Sequence, residues 1–184
     1  MTIGRVPPPV LAIDGPSGSG KGTIARQASK ALGWHLLDSG ALYRLVGLAA
    51  HRQGIDLADE TKVAALAGRL GIEFGVGPGG AERVLLDGID VSPDLRTEES
   101  GRLASAVATL PAVREALLGL QRGFRRAPGL VADGRDMGTV VFADAPFKFF
   151  ITASPEARAA RRYKQLKEKG IDAETLDAPH RALG

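Results

Sequence analysis

The stretch "AIDGPSGSGKGT", residues 12–23, sets four glycines and one lysine, Lys21, directly after a short apolar run. Glycine is entropically costly in any regular element, so a cluster beside a buried strand signals a contact made by the backbone itself. The preceding "PPPVLAID" reads as a buried strand ending at Asp14. The following "GTIARQASKALG" has helical spacing, with Ile24, Ala28 and Leu32 as the expected apolar face and Gly33 as a stop. Successive backbone N–H groups converge on an anion only where the chain curls tightly. A helix start adds its positive end, and Lys21 adds a mobile full charge. Gly15, Gly20 and Lys21 match G-x-x-x-x-G-K, but Gly22 follows and the hydroxyl is delayed to Thr23. A plain turn with a solvated lysine is the bland alternative. The strand–turn–helix setting favours a phosphate cradle formed by Gly15, Pro16, Ser17, Gly18, Ser19, Gly20, Lys21, Gly22 and Thr23.

Outward from the loop, "WHLLD" is a second short strand and "SGALYRLVGLAAHRQG" a helix closed by Gly54. This alternation predicts an α/β fold with a parallel sheet covered by helices on both faces. The middle, "GIEFGVGPGGAERVLLDGIDVSP", alternates around a glycine-proline turn and predicts an antiparallel hairpin with a short following strand. Helical patterning resumes from about Glu98 through "PAVREALLGLQRGFRR". "GLVADGRD" and "FKFFITA" read as two further short buried strands, and "SPEARAARRYKQLKEKG" as a charged helix with Pro155 in its first turn.

At 184 residues the chain fits one well-buried domain. There is no signal-peptide layout and no apolar stretch of membrane-spanning length, and cysteine is absent, which excludes disulfides and thiolate metal sites. A cytoplasmic protein with no membrane partner is the expectation. The net charge of +3 raises a nucleic-acid partner, but the arginines lie in mixed-sign segments and aromatics make up only 5%. A base-stacking platform is poorly supported, and small phosphorylated ligands suit such arginines better.

"GPSGSGKGT" resembles the loop of nucleoside monophosphate kinases, and "LLDSGALYR" with "DGRDMGTVVF" resembles the cytidylate kinase family more specifically. The match runs from about Val10 to Gly170. The resemblance implies a P-loop kinase domain over 1–184, with a core at about 8–65 and 105–154, a monophosphate-binding β insertion at about 66–104 and a helical lid at about 155–170. It also implies transfer of the γ-phosphoryl group of ATP to CMP or dCMP, with magnesium accompanying ATP, by a monomer. Ser39 and Arg44 would then meet the nucleoside monophosphate, Arg135 its phosphate, and Ser105, Arg114 and Asp136 the base.

Each assignment has a plainer alternative. Arg44, Ser105 and Arg114 are ordinary surface-helix residues when read alone, and Arg135 with Asp136 suits a turn or an ion pair. Asp133 closes an apolar run, either as an acid acting on magnesium through water or as an N-cap or turn residue. The lid arginines Arg158, Arg161 and Arg162 either neutralise phosphates, Arg161 with the strongest claim, or form a solvated face pairing with Glu156. Lys21, Arg135 and Arg161 are the expected catalytic cations. In the family, an arginine- and aspartate-rich helix and a last strand follow the lid, whereas "IDAETLDAPHRALG" shows neither pattern. The expectation is a four-stranded sheet with an unpaired edge and weak transfer. A nucleotide-binding protein without transfer, or another small P-loop monophosphate kinase, stands as the alternative function.

Overall fold

Three of the four strands of the main sheet are short apolar runs that end at or beside an aspartate. They are β1 (Val10–Asp14), β2 (His35–Asp38) and β6 (Leu130–Gly134); the fourth is β7 (Phe147–Phe150). The computed structural model describes residues 6–76 and 82–168. All four strands run parallel in the order β2-β6-β1-β7, with Ile13 opposite Asp133 and Asp14 opposite Gly134. A parallel sheet needs cover on both faces. Alternate residues supply it: Val10, Ala12, Leu130 and Ala132 face the larger core, while Ile13 and Val131 face a smaller one.

The smaller core is closed by α1 (Lys21–Leu32) through Ala25 and, partly buried, Ala28. The expected face over Ile24, Ala28 and Leu32 is therefore corrected, since Ile24 and Leu32 are exposed. The small Ala25 lets the helix axis approach the strands, which a bulkier face would prevent. The larger core is built by α2 (Ser39–Arg52), α3 (Glu60–Ala67), α4 (Glu98–Val107) and α5 (Pro111–Gly123). Asp38 caps α2, its Oδ1 accepting from Ala41 N at 3.1 Å. The helix α3 was not anticipated, although Asp59 caps it in the usual way by accepting from Lys62 N. The long helical pattern after Glu98 divides at Pro111, which opens α5 where its missing N–H costs nothing.

The predicted hairpin forms a separate antiparallel sheet of β3 (Ile72–Val76), β4 (Glu82–Leu86) and β5 (Ile89–Asp90). The charged helix is α6 (Pro155–Glu168), which begins just after β7. β7 departs from expectation, since all four of its residues are exposed, Phe150 to 68%. Among the described residues it is an edge strand paired only with β1. Residues 169–184, which bear on the expected missing helix and strand, lie outside the described residues. Among the described residues no single helix is long and apolar enough to cross a membrane.

The tightest helix contact is α2 against α4, where a Cβ at Gly47 would lie 2.8 Å from Leu103 Cβ and 2.9 Å from its carbonyl carbon. Gly47→Ala should therefore cost about 1–3 kcal/mol in urea unfolding by forcing α4 outward. Gly119→Ala, on open helix surface with nothing within 4 Å, should stabilise by about 0.5–1 kcal/mol. Equal effects at the two positions would contradict the packing described.

Candidate nucleotide site at the strand ends

Three carboxylates meet at the C-terminal edge of the sheet, and two are committed to backbone N–H groups. Asp38 caps α2, and Asp14 accepts from Met137 N at 2.8 Å and Gly138 N at 2.9 Å. Asp133 is different. It is buried, its Oδ1 has no hydrogen-bond partner among the described residues, and Lys21 Nζ lies 4.0 Å from that oxygen. Burial pushes the Asp133 carboxyl up to about 6, against the opposing pull of Lys21, with Asp38 adding to the rise, Arg26 opposing it and Asp14 adding again. As a strand residue paired with Asp38 and Ile13, Asp133 is not an N-cap or turn residue. That alternative is overturned by its position inside β6.

The glycine loop adopts the conformations its sequence requires. Gly18 and Gly20 have φ of 76° and 91°, a region other residues rarely enter. Gly20 sits at the N-cap of α1 without a side-chain cap, so the first N–H groups of this 12-residue helix point outward from its positive end. Lys21 curls over its own loop, with Nζ donating to the Pro16 carbonyl at 3.4 Å. The departure at Gly22 has a local reason, because a Cβ there would stand 3.1 Å from Asp133 Oδ2. Thr23 is exposed on the first turn of α1, and Ser19 is buried with no partner for its hydroxyl among the described residues.

Beside the loop lies a cleft of about 630 Å³, lined among others by Ser17, Gly18, Arg44, Gly101, Ser105 and Arg158. It brings two predicted acceptor residues, Arg44 and Ser105, against the predicted loop. Arg44 Nη1 donates to the carbonyls of Leu95 at 2.9 Å and Thr97 at 3.4 Å, tying α2 to the start of α4. The Ser105 hydroxyl donates back to Gly101 O at 3.0 Å within α4. Arg114 on α5 and Asp136 after β6 form an ion pair. Neither they nor Arg135 and Ser39 line this cleft. Ser39 is buried beneath Gly134, where a Cβ would come within 2.6 Å of its Oγ. Arg135 is exposed between Gly134 and Asp136.

From α6, Arg161 Nη1 donates to the carbonyls of Gly18 at 3.2 Å and Ser19 at 2.7 Å, so the helix rests on the loop. Arg158 packs against Gly18. The solvated-face alternative for Arg161, pairing with Glu156, is thereby replaced by contact with the loop. The side chain of Arg162 lies outside the described residues. Sequence reasoning missed Tyr43 and Asp14. Tyr43 is partly buried beside Gln121, with Arg114 and Asp136 close enough to act on its hydroxyl, whose pKa burial raises. Its place beside Arg44 was the available signal. Asp14 ends an apolar run just as Asp133 does.

The raised Asp133 pKa fixes a sign. Its unfolded-state value is near 3.9, so the folded protein holds the proton more tightly, and stability present below that pH is lost as pH rises towards 6. The shift corresponds to roughly 3 kcal/mol. Asp133→Asn should therefore gain stability relative to the parent protein by about that amount between pH 4 and pH 7, read as the difference of two urea-unfolding series. A difference that stays flat across this window would contradict a burial penalty that Lys21 only partly offsets.

A family model described as cytidylate kinase matches residues 11–181. The chain is 60% identical over 164 residues to the cytidylate kinase of Methylococcus capsulatus, covering 89% of this chain and 73% of that one. It is 61% identical over 165 residues to that of Pseudomonas entomophila, with 89% and 72% covered. To that of Cupriavidus necator it is 60% identical over 168 residues, with 91% and 73% covered. The family match spans most of the chain and all three relatives carry the same name, and the chain belongs to the cytidylate kinase family.

Proposed function

We propose that this protein transfers the γ-phosphoryl group of ATP to CMP or dCMP, giving ADP and CDP or dCDP. The observation that carries the reading is the shared cleft, in which the glycine loop, Arg44 of α2, Ser105 of α4 and Arg158 of α6 face one space. Membership of the family favours transfer over binding alone.

The loop amides from Gly15 to Thr23 and Lys21 hold the ATP phosphates, with the positive end of α1 behind them. Arg161, already docked on the loop carbonyls, adds charge where the phosphoryl group departs. Arg44 and Arg135 hold the acceptor phosphate in line. The bond from the γ phosphorus to its bridging oxygen breaks as an oxygen of the acceptor phosphate bonds to that phosphorus. Such a loose transition state needs positioned cations more than a strong base. Asp136 accepts from the exocyclic amine of cytosine, and Arg114, paired to it, donates to the ring acceptors. Ser105 and Ser39 complete the acceptor side. The stretch about 66–104 serves as the acceptor-binding insertion and α6 as the lid, whose closure excludes water. A monomer is the working unit in this reading.

The residues suit a magnesium ion arriving with ATP. Magnesium keeps most of its ligands as water and phosphate oxygens and needs only one or two protein groups. Among the described residues no group of three or more histidine, aspartate or glutamate side chains is placed to hold a metal alone. The buried Asp133 Oδ1, without a hydrogen-bond partner among the described residues, fits contact through water. When bound, the ion would supply neutralisation of the phosphate charge.

A coupled assay of ADP release with CMP, dCMP, UMP and AMP tests the reading. CMP and dCMP should be used at least tenfold better than AMP, since the half-exposed Arg114–Asp136 pair would hydrogen-bond cytosine and leave adenine unmatched. Lys21→Ala should keep its fold and lose about two to three orders of magnitude in kcat. Asp136→Asn should lower the ratio of kcat/KM for CMP over UMP, since an amide can donate to the O4 of uracil. Unchanged turnover by Lys21→Ala would remove the loop from the reaction.

A further inference from the structure

We propose that Asp14 is a positioning residue for the acceptor side of the site, a role resting on the kinase reading above. It is the last residue of β1, directly before the glycine loop. Its backbone lies opposite Gly134 in the parallel register. Its buried carboxylate accepts from two successive amides, Met137 N at 2.8 Å and Gly138 N at 2.9 Å. Between Gly134 and Met137 stand only Arg135 and Asp136. One residue therefore fixes both ends of the two-residue arch that carries the acceptor-side cation and the base-reading carboxylate.

The arch has little freedom left once Asp14 holds it. The peptide joining Asp136 to Met137 is clamped from both sides. Its N–H goes to Asp14, and its carbonyl accepts from Val140 N at 2.9 Å and Val141 N at 3.1 Å in the π-helical turn Met137–Val141. That turn is pressed onto the sheet, since a Cβ at Gly138 would lie 3.2 Å from Lys148 and 3.4 Å from Ala12 Cβ. Asp136 in turn orients Arg114 through their ion pair. Asp14 also ties the arch to the β7 end, its own carbonyl accepting from Ile151 N at 2.8 Å. The distance between the loop that holds the donor and the arch that reads the acceptor is thus set through Asp14.

Asp14→Asn keeps the shape but turns one acceptor oxygen into a donor facing an N–H, so the arch loses one of its two anchors. The expected result is a rise of about tenfold in KM for CMP and a fall in CMP-over-UMP preference, with KM for ATP changed by less than twofold. A merely structural role would lower the unfolding midpoint and leave this split unmoved, so kinetics are read at a temperature where both proteins are fully folded. Equal changes in the two KM values, or none, overturn the proposal. If Asp14→Asn does not fold, amide hydrogen exchange in the unaltered protein decides. CMP should slow exchange at Met137 and Gly138 and a non-hydrolysable ATP analogue should not, whereas equal slowing by both overturns the role. Absence of turnover with CMP by the unaltered protein would count against the kinase reading itself, and the CMP-dependent exchange at Met137 and Gly138 would still read the role of Asp14.

Discussion

Burial of negative charge at the strand ends is the constraint on which the rest of the structure depends. Parallel register brings Asp14, Asp38 and Asp133 to the same edge of three neighbouring strands. Asp14 and Asp133 are buried while Asp38 at the same edge is exposed, and a buried charge persists only if it is neutralised or hydrogen-bonded. Asp38 is satisfied by starting α2, and Asp14 by holding the turn after β6. Asp133 is left with Lys21 as its nearest cation and a carboxyl pushed up to about 6. The two satisfied aspartates build the scaffold. The third keeps a charge imbalance at the mouth of the glycine loop, where a cation-accompanied phosphate ligand would restore balance.

The arginines around the cleft share a second feature. Arg44 spends Nη1 on the carbonyls of Leu95 and Thr97, and Arg161 spends Nη1 on those of Gly18 and Ser19. A guanidinium has five N–H donors in a rigid fork, so an arm anchored to backbone still presents the others in a fixed direction. Anchoring of this kind removes side-chain entropy before a ligand arrives, which raises affinity without any new contact. The Arg114–Asp136 pair applies the same economy to a carboxylate, since each partner holds the other in place.

The parts legible in the sequence were those where chemistry is written in consecutive residues. The glycine loop, strand ends at Asp14, Asp38 and Asp133, and the hairpin between Gly71 and Pro93 all follow from local pattern. The exposed side of α1 was misread because Ile24 and Leu32 are the larger residues, whereas close approach to the sheet selects the small Ala25. β7 has the composition of a buried strand, whereas among the described residues it lies at the edge of the sheet with Phe147, Phe149 and Phe150 exposed, a matter of topology. The π-helical turn Met137–Val141 is held by a carboxylate more than 120 residues away in sequence, so no local signal could announce it. For the same reason, Arg114 and Asp136 could be named as neighbours of a base only through resemblance, while their pairing is a tertiary fact.

The central claim is that the glycine loop and the Arg135–Asp136 arch, proposed to hold donor and acceptor, serve one site across the ends of the strands although the arch does not line the cleft beside the loop. Calorimetric titration with a single molecule joining adenosine and cytidine through five phosphates tests it most directly. One site should bind one such molecule at least a hundredfold more tightly than ATP or CMP alone, because the second half binds at high effective concentration once the first is held. Affinity no better than that of ATP alone would show that the two halves do not share a site.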